Sequence, residues 1–174
     1  RMVRVESARQ MLAAMLRESR GARIIIGTAA VVDYRPARVL TGKMKKTHGP
    51  ISLRLVRNPD ILATLGRRFS RRGGVLAARP LLVGFALETS RILPRARAKL
   101  RAKHLDYILA NRPWLGPRRT RNTVWFLKRM GRGQAPPLRG EHVECWRHVS
   151  PEEVARRLVG RLGPDVSKNT LPFS

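Results

Sequence analysis

The chain has 174 residues, 43% of them apolar, with 37 Lys or Arg against 11 Asp or Glu and a formal charge of +26. That apolar content at domain length excludes a disordered basic tail, no apolar run approaches the roughly 20 residues of a membrane-spanning helix, and the single cysteine, Cys145, excludes an intrachain disulfide. A cytoplasmic protein of one domain is expected, with a long-range field that attracts polyanions.

Glu6 to Leu16 carries apolar residues at helical spacing among strong helix formers, and Gly21 stops that helix. Ala22 to Ala30 reads as a buried strand, followed by Val31-Val32-Asp33-Tyr34-Arg35-Pro36 and a Pro/Gly/Lys loop over residues 33 to 50 that holds Lys43-Met44-Lys45-Lys46. Ile51, Leu53 and Leu55 alternate with Ser52 and Arg54, which predicts a half-exposed strand. Asn58-Pro59-Asp60-Ile61 predicts a helix start, with Asn58 as N-cap, Pro59 in the first helical position and Asp60 in the first turn, running to about Arg68. Arg67, Arg68, Arg71, Arg72, Gly73 and Gly74 read as a basic turn.

Leu81 to Ala86 is a second buried strand, Ile92 to His104 a helix with Pro94 in its first turn, and Asp106 to Asn111 a third strand. Residues 112 to 122 are rich in Pro, Gly and Arg, Thr123 to Leu127 reads as a strand, and residues 129 to 140 as a loop. Ser150-Pro151-Glu152-Glu153 opens a last amphipathic helix through Val154, Leu158 and Leu162 by a capping box. Alternating helices and strands predict an α/β domain with a mainly parallel sheet and a site at the carboxyl ends of its strands. The chain divides into a core over 1–111, an Arg/Pro/Gly-rich segment over 112–149, and a C-terminal helix and tail over 150–174.

The polar residues gather at those strand ends. Asp33 follows the first strand, Phe85 and Glu88 lie at the second, and Asn111 closes the third. Lys99 and Lys103 share one helical face, and the helix start at Asn58-Pro59-Asp60 offers backbone N–H groups to phosphate or ribose oxygens. Only seven of the 37 basic residues are lysine, and Lys43, Lys45, Lys46, Lys99 and Lys103 fall in two clusters. A compact ammonium at a phosphate is a physical reason to keep lysine there. Each residue also has a plain structural alternative: Asp33 as a turn residue, the lysines as solvated faces, Phe85 as core, Asn58 as a cap.

Five segments, Ala29 to Pro36, Lys43 to Lys46, Val56 to Leu62, Val83 to Thr89 and Ala96 to Asp106, resemble in order and spacing the bacterial phosphopantothenate–cysteine ligase domain, the C-terminal half of a bifunctional decarboxylase/ligase. The resemblance covers residues 5 to 111 and resumes in the last helix. It implies a Rossmann-like three-layer domain whose first βα unit, with a glycine-rich phosphate loop, is missing here. It implies a CTP-dependent ligase with Mg²⁺ that joins 4′-phosphopantothenate to cysteine through an acyl-cytidylate. It places Asp33, Lys43, Asn58, Pro59, Asp60, Ile61, Phe85, Lys99 and Lys103 on the nucleotide, with Lys43 in the largest catalytic role. It further implies a homodimer, no flavin in this chain, and an acyl-substrate side supplied by a flavoprotein decarboxylase partner or a separate N-terminal segment. After Asn111 the text departs from the family pattern, and only Gly116 and Asn122 match it.

A non-catalytic nucleotide-binding relative would keep the lysines and lose turnover. A nucleic-acid-binding protein would use Arg67, Arg68, Arg71, Arg72, Arg118, Arg119 and Arg121 on phosphates and Trp114 or Trp125 on bases, but the arginines are spread over the whole chain. His142, Cys145 and His148, with Glu141 or Glu144, invite a zinc site whose spacing matches no common finger. Pairing Cys145 with His148 as a nucleophile lacks an orienting partner.

Overall fold

Along Leu81–Leu87 successive side chains go to opposite sides: Leu82 and Ala86 join one apolar cluster, Leu81 and Val83 another. A strand buried on both faces needs a layer above and a layer below. A computed structural model describes residues 1–44, 49–71, 79–113, 122–130 and 141–168, and it supplies both layers. In chain order the elements are α1 (Ala8–Glu18), β1 (Ile24–Gly27), β2 (Tyr34–Pro36), β3 (Leu55–Arg57), α2 (Ile61–Arg71), β4 (Leu81–Leu87), α3 (Ile92–Ala102), β5 (Tyr107–Asn111), β6 (Asn122–Arg129), β7 (Glu141–Val149) and α4 (Pro151–Lys168).

Five strands form one sheet in the order β1-β4-β5-β6-β7. The β1–β4 and β4–β5 pairings are parallel, and β5–β6 and β6–β7 are antiparallel. α1, α2 and α3 cover one face through Met11, Met15, Ile61, Leu65, Ile92 and Leu100. α4 covers the other through Leu158 and Leu162, over a stack in which Phe126 lies 5.5 Å from Tyr107 and 5.1 Å from Trp146. The expected three-layer α/β architecture is therefore present. Its parallel character belongs to β1, β4 and β5, and the two strands after Asn111 fold back antiparallel. β2 and β3 form a separate two-stranded ribbon with Tyr34 opposite Arg57.

Two close approaches set the helix positions. At Gly84 on β4 an added Cβ would press on Leu105 and Leu62, and at Gly66 on α2 it would collide with the backbone carbonyl of Lys103. α3 ends there in a Schellman turn: His104 has φ +54°, its N–H donates to the Arg101 carbonyl at 3.1 Å, and the Leu105 N–H donates to the Leu100 carbonyl at 3.0 Å.

Several expected bounds are corrected. The first strand is Ile24–Gly27, not residues 22 to 30, and the strand expected around Ile51 is confined to Leu55–Arg57 on the ribbon. α2 runs to Arg71, so Arg67 and Arg68 are helical, while α3 stops at Ala102. The stretch holding His142 to His148 is a strand, β7. Both β6 and β7 lie within the 112–149 segment and join the main sheet. The capping box at Ser150 is present in both directions, with Glu153 N–H on Ser150 Oγ at 3.2 Å and Ser150 N–H on Glu153 Oε2 at 2.9 Å. Lys45, Lys46, Arg72, Gly73, Gly74, Trp114, Gly116, Arg118, Arg119 and Arg121 lie outside the described residues.

Candidate functional site

Beyond Gly27 the chain leaves the sheet and must be held by something other than strand pairing. Asn58 does this. Its side-chain amide donates to the Val32 carbonyl at 2.9 Å, its backbone N–H donates to the Asp33 carbonyl at 2.8 Å, and its Oδ1 accepts from Arg35 at 3.1 Å. The stretch from Ala29 to Asp33 is thereby fixed against the start of α2.

The expected cap is corrected at the same place. Asp60, and not Asn58, caps α2: its Oδ1 accepts from the Ala63 N–H at 2.9 Å and its backbone carbonyl from the Thr64 N–H at 3.0 Å. Pro59 precedes the helix and does not occupy its first turn, because Asn58 is spent on the segment it pins. Helix geometry leaves the other first-turn N–H groups unpaired within the helix, at its positive end.

A cavity of about 250 Å³ opens between these parts. Its walls are Gly27 and Ala29 to Asp33, then Asn58 to Leu62, then Phe85 at the end of β4, then Lys99 and Lys103 from the end of α3, with Met11 and Met15 of α1 behind. Eight of the nine residues expected on a nucleotide thus share one cavity: Asp33, Asn58, Pro59, Asp60, Ile61, Phe85, Lys99 and Lys103. Lys43 is the exception. It is exposed in the loop after β2 and is not part of the wall.

Both wall lysines are ion-paired. Lys99 Nζ lies 2.6 Å from Glu88 Oε1, and Lys103 Nζ lies 3.0 Å from Asp60 Oδ2. Arg95 approaches the second oxygen of Glu88 at 3.4 Å. Glu88 is buried, and this role escaped the sequence reading, which saw it only as a polar residue at a strand end. A carboxylate directly after an apolar strand, eleven residues before Lys99, was the available signal.

Phe85 borders the cavity and also a second, apolar groove of about 520 Å³ on the α4 side, with Ile26, Leu109, Val124, Val154 and Val159. The sheet edge at Phe85 is therefore open to both faces.

The other ionic groups do other work. Asp106 and Arg79 pair at 2.9 Å at the far end of the strands, and burial pushes the Asp106 carboxyl up to about 6 although Arg79 pulls it down. Asp165 on α4 accepts from the Tyr107 hydroxyl and pairs with Lys128, and burial followed by that bond raises the Tyr107 phenol. Strand alternation parts His142, which bonds Glu144 on the α4 side, from the exposed Cys145, and a bulge turns His148 to φ +50°. Among the described residues no three His, Cys, Asp or Glu side chains gather to hold a metal. Trp125 is half-buried against the first apolar cluster. No described helix is long and apolar enough to cross a membrane.

Comparison with known proteins agrees with the α/β fold. The coenzyme A biosynthesis bifunctional protein CoaBC of Haemophilus influenzae is 40% identical over 109 residues, 63% of this chain and 26% of that protein. Its namesake in Bacillus subtilis is 44% identical over 107 residues, 62% of this chain and 24% of that protein. The chain thus spans about a quarter of the length of the curated relatives it matches. The crystal structure of the C-terminal domain of a CoaBC protein is similar with a TM-score of 0.66 at 30% identity, over 95% of this chain and 65% of that one. A DNA/pantothenate metabolism flavoprotein from Streptococcus pneumoniae, 17% identical with a TM-score of 0.67, shares the fold. The profile of the DNA/pantothenate metabolism flavoprotein C-terminal domain matches residues 1–161. The chain belongs to that family.

Proposed function

We propose that this chain acts in coenzyme A biosynthesis as the nucleotide-handling part of a phosphopantothenate–cysteine ligase. One observation carries the reading: a single cavity at the carboxyl ends of parallel strands brings together Asp33, the start of α2, Phe85, Lys99 and Lys103, residues drawn from four separate stretches of sequence. Ligands of open α/β sheets bind at such strand ends.

In this reaction a carboxylate oxygen of 4′-phosphopantothenate attacks the α-phosphorus of CTP and pyrophosphate leaves. The cysteine amine then attacks the acyl carbon of the resulting acyl-cytidylate, and CMP leaves as the amide forms. The positive end of α2 and the wall lysines oppose the charge of the phosphates, which is worth most where water is excluded. The Phe85 ring carries the base. The Asp33 carboxylate, exposed and without a hydrogen-bonding partner among the described residues, lines the cavity, where it would accept hydrogen bonds from ribose hydroxyls or serve Mg²⁺ as a hard oxygen ligand. When bound, the magnesium ion neutralises phosphate charge. Lys43 has the main catalytic role in this reading, and it reaches the phosphates from the second copy of a dimer. Val39, Leu40, Met44, Ile51, Leu53 and Leu55, all exposed around the ribbon, are the surface for that homodimer. The phosphopantothenate side is not assigned to residues of this cavity, a flavoprotein decarboxylase is the proposed partner, and no flavin is assigned to this chain.

The test is pyrophosphate release with CTP, 4′-phosphopantothenate, cysteine and Mg²⁺, compared with Lys43→Ala and joined to calorimetry of CTP binding. Turnover lost in Lys43→Ala supports the full reading. Binding without turnover supports the nucleotide half, with the acyl side supplied elsewhere. Neither binding nor turnover overturns it.

A further inference from the structure

From Thr28 to Asp33 every side chain is exposed. A stretch with no buried side chain takes its course from hydrogen bonds. One is internal, with the Val31 N–H on the Ala29 carbonyl at 3.0 Å. Two tie the stretch to the start of α2, and both come from Asn58: its side-chain amide donates to the Val32 carbonyl and its backbone N–H to the Asp33 carbonyl. The backbone bond continues the ladder of the ribbon, in which Tyr34 lies opposite Arg57 and Arg35 opposite Val56. The amide bond stands apart from that ladder and depends on which way the amide is turned.

An asparagine amide has a donor side and an acceptor side, and a half-turn exchanges them. Turned the other way, Oδ1 would face the Val32 carbonyl, oxygen against oxygen. Arg35 decides the turn. Its Nη1 donates to Asn58 Oδ1 at 3.1 Å and to the Arg57 carbonyl at 2.5 Å. The second bond holds the guanidinium, and the first holds the amide. A hydrogen bond from a charged donor is roughly twice as strong as one between neutral groups. Arg35 is half-buried, between the exposed Tyr34 and Pro36 of β2, and it is not part of the cavity wall.

We propose that Arg35 is a positioning residue for the cavity: by fixing the turn of the Asn58 amide from outside the wall, it holds the Val32–Asp33 main chain, and with it the Asp33 carboxylate, against the start of α2. Arg35 acts on the nucleotide through Asn58 alone. The inference rests on the nucleotide reading above and adds to it a residue that lines no part of the site. It also makes the ribbon and the cavity one unit, since Arg35 belongs to the first and its effect is felt in the second.

The test is a double-variant cycle, read by calorimetry of Mg²⁺-bound CTP and by the side-chain amide resonances of the nucleotide-free chain. The chain has four asparagines and two glutamines, and the amide pair missing in Asn58→Ala is that of Asn58. In Arg35→Ala this pair moves to the position of a free amide. In Arg35→Lys, whose ammonium keeps a charged donor, it returns part of the way. Arg35→Ala weakens CTP roughly five- to tenfold and Arg35→Lys by less than about threefold, with thermal unfolding of both within a few degrees of wild type. In an Asn58→Ala background the Arg35 substitution costs nothing more. A loss that persists in that background is an effect of the arginine charge on the phosphates and overturns the proposal, as does an Asn58 resonance that ignores Arg35. If the Asn58 resonance follows Arg35 but the wild-type chain does not bind CTP, the nucleotide reading falls and the positioning role with it. If CTP binds wild type and Arg35→Ala equally well, the positioning role falls alone.

Discussion

Two carboxylates, Glu88 and Asp106, are equally buried, and they stand at opposite ends of neighbouring parallel strands. Asp106 precedes β5 and is closed in: its Oδ2 accepts the Leu82 N–H at 2.8 Å, its Oδ1 pairs with Arg79, and its backbone carbonyl accepts the Arg129 N–H at 2.8 Å. Even Arg79 is only 13% exposed. Glu88 follows β4, and its partners Lys99 and Arg95 are 43% and 49% exposed, the first of them on a cavity wall. The same burial thus has two meanings. At the amino ends of the strands a carboxylate ties connections together and touches nothing that binds. At the carboxyl ends, where connections part and leave room, a carboxylate sets the direction of a cation that a ligand can reach.

The contrast breaks most readily at Asp106. Asp106→Ala removes one partner of a buried pair and is expected to cost about 3–5 kcal/mol in urea unfolding, with CTP affinity of the folded chain unchanged. Glu88→Gln, whose partners rehydrate, is expected to cost about 1 kcal/mol and to act on binding instead. The reverse ranking would erase the distinction between the two ends.

Next in size is a pH effect. The folded chain holds the Asp106 carboxyl near 6, above its ordinary value, so the unfolded chain ionises first as pH rises. The stability that this group contributes is full below about pH 4 and is lost as pH climbs through about 6, a swing on the order of 3 kcal/mol. Relieved repulsion among the cations pushes the other way over the same range, so the measurement is the difference between wild type and Asp106→Asn. That difference should change across this window and be flat above about pH 7.

Gly66→Ala comes third. Its Cβ would strike the Lys103 carbonyl, so α2 and α3 must part, at about 1–3 kcal/mol by thermal unfolding. Unlike Asp106→Ala it should also weaken CTP binding, since the displaced helices carry Asp60 and Lys103. Smallest is Ser150→Ala at the start of α4, about 1 kcal/mol with no effect on the nucleotide, because the capping box stabilises only the covering helix.

How much of this is written in the sequence differs by region. β4 and β5 are short continuous apolar runs between polar stretches, the pattern that burial on both faces imposes, and they are read without difficulty. β7 is hidden because Glu-His-Val-Glu-Cys-Trp-Arg-His-Val places charge on both faces. The reason lies in partners remote in sequence: Glu141 pairs with Arg97 and Arg101 of α3, and Glu144 with Arg161 of α4. The α2 cap is misassigned for a similar reason. Asn58 and Asp60 are equally good caps by residue type, but Val32 and Asp33, some 25 residues before Asn58, claim its hydrogen bonds. Eight wall residues are legible because the motifs carrying them sit at strand and helix ends. Where Lys43 stands relative to that wall is not legible, because an exposed loop has no periodicity to place it. Nor does the text reveal that Glu88 is buried, which is the property that separates it from Asp60.

Lys103 is clasped at both of its ends, its carbonyl against Gly66 and its ammonium against Asp60. The gap between the end of α3 and the middle of α2 is therefore set main chain against main chain, at Gly66, where no side chain intervenes. Drift at the surface has no purchase on such a spacing. The 30 arginines of the 37 basic residues can therefore crowd the surface without changing the width of the pocket.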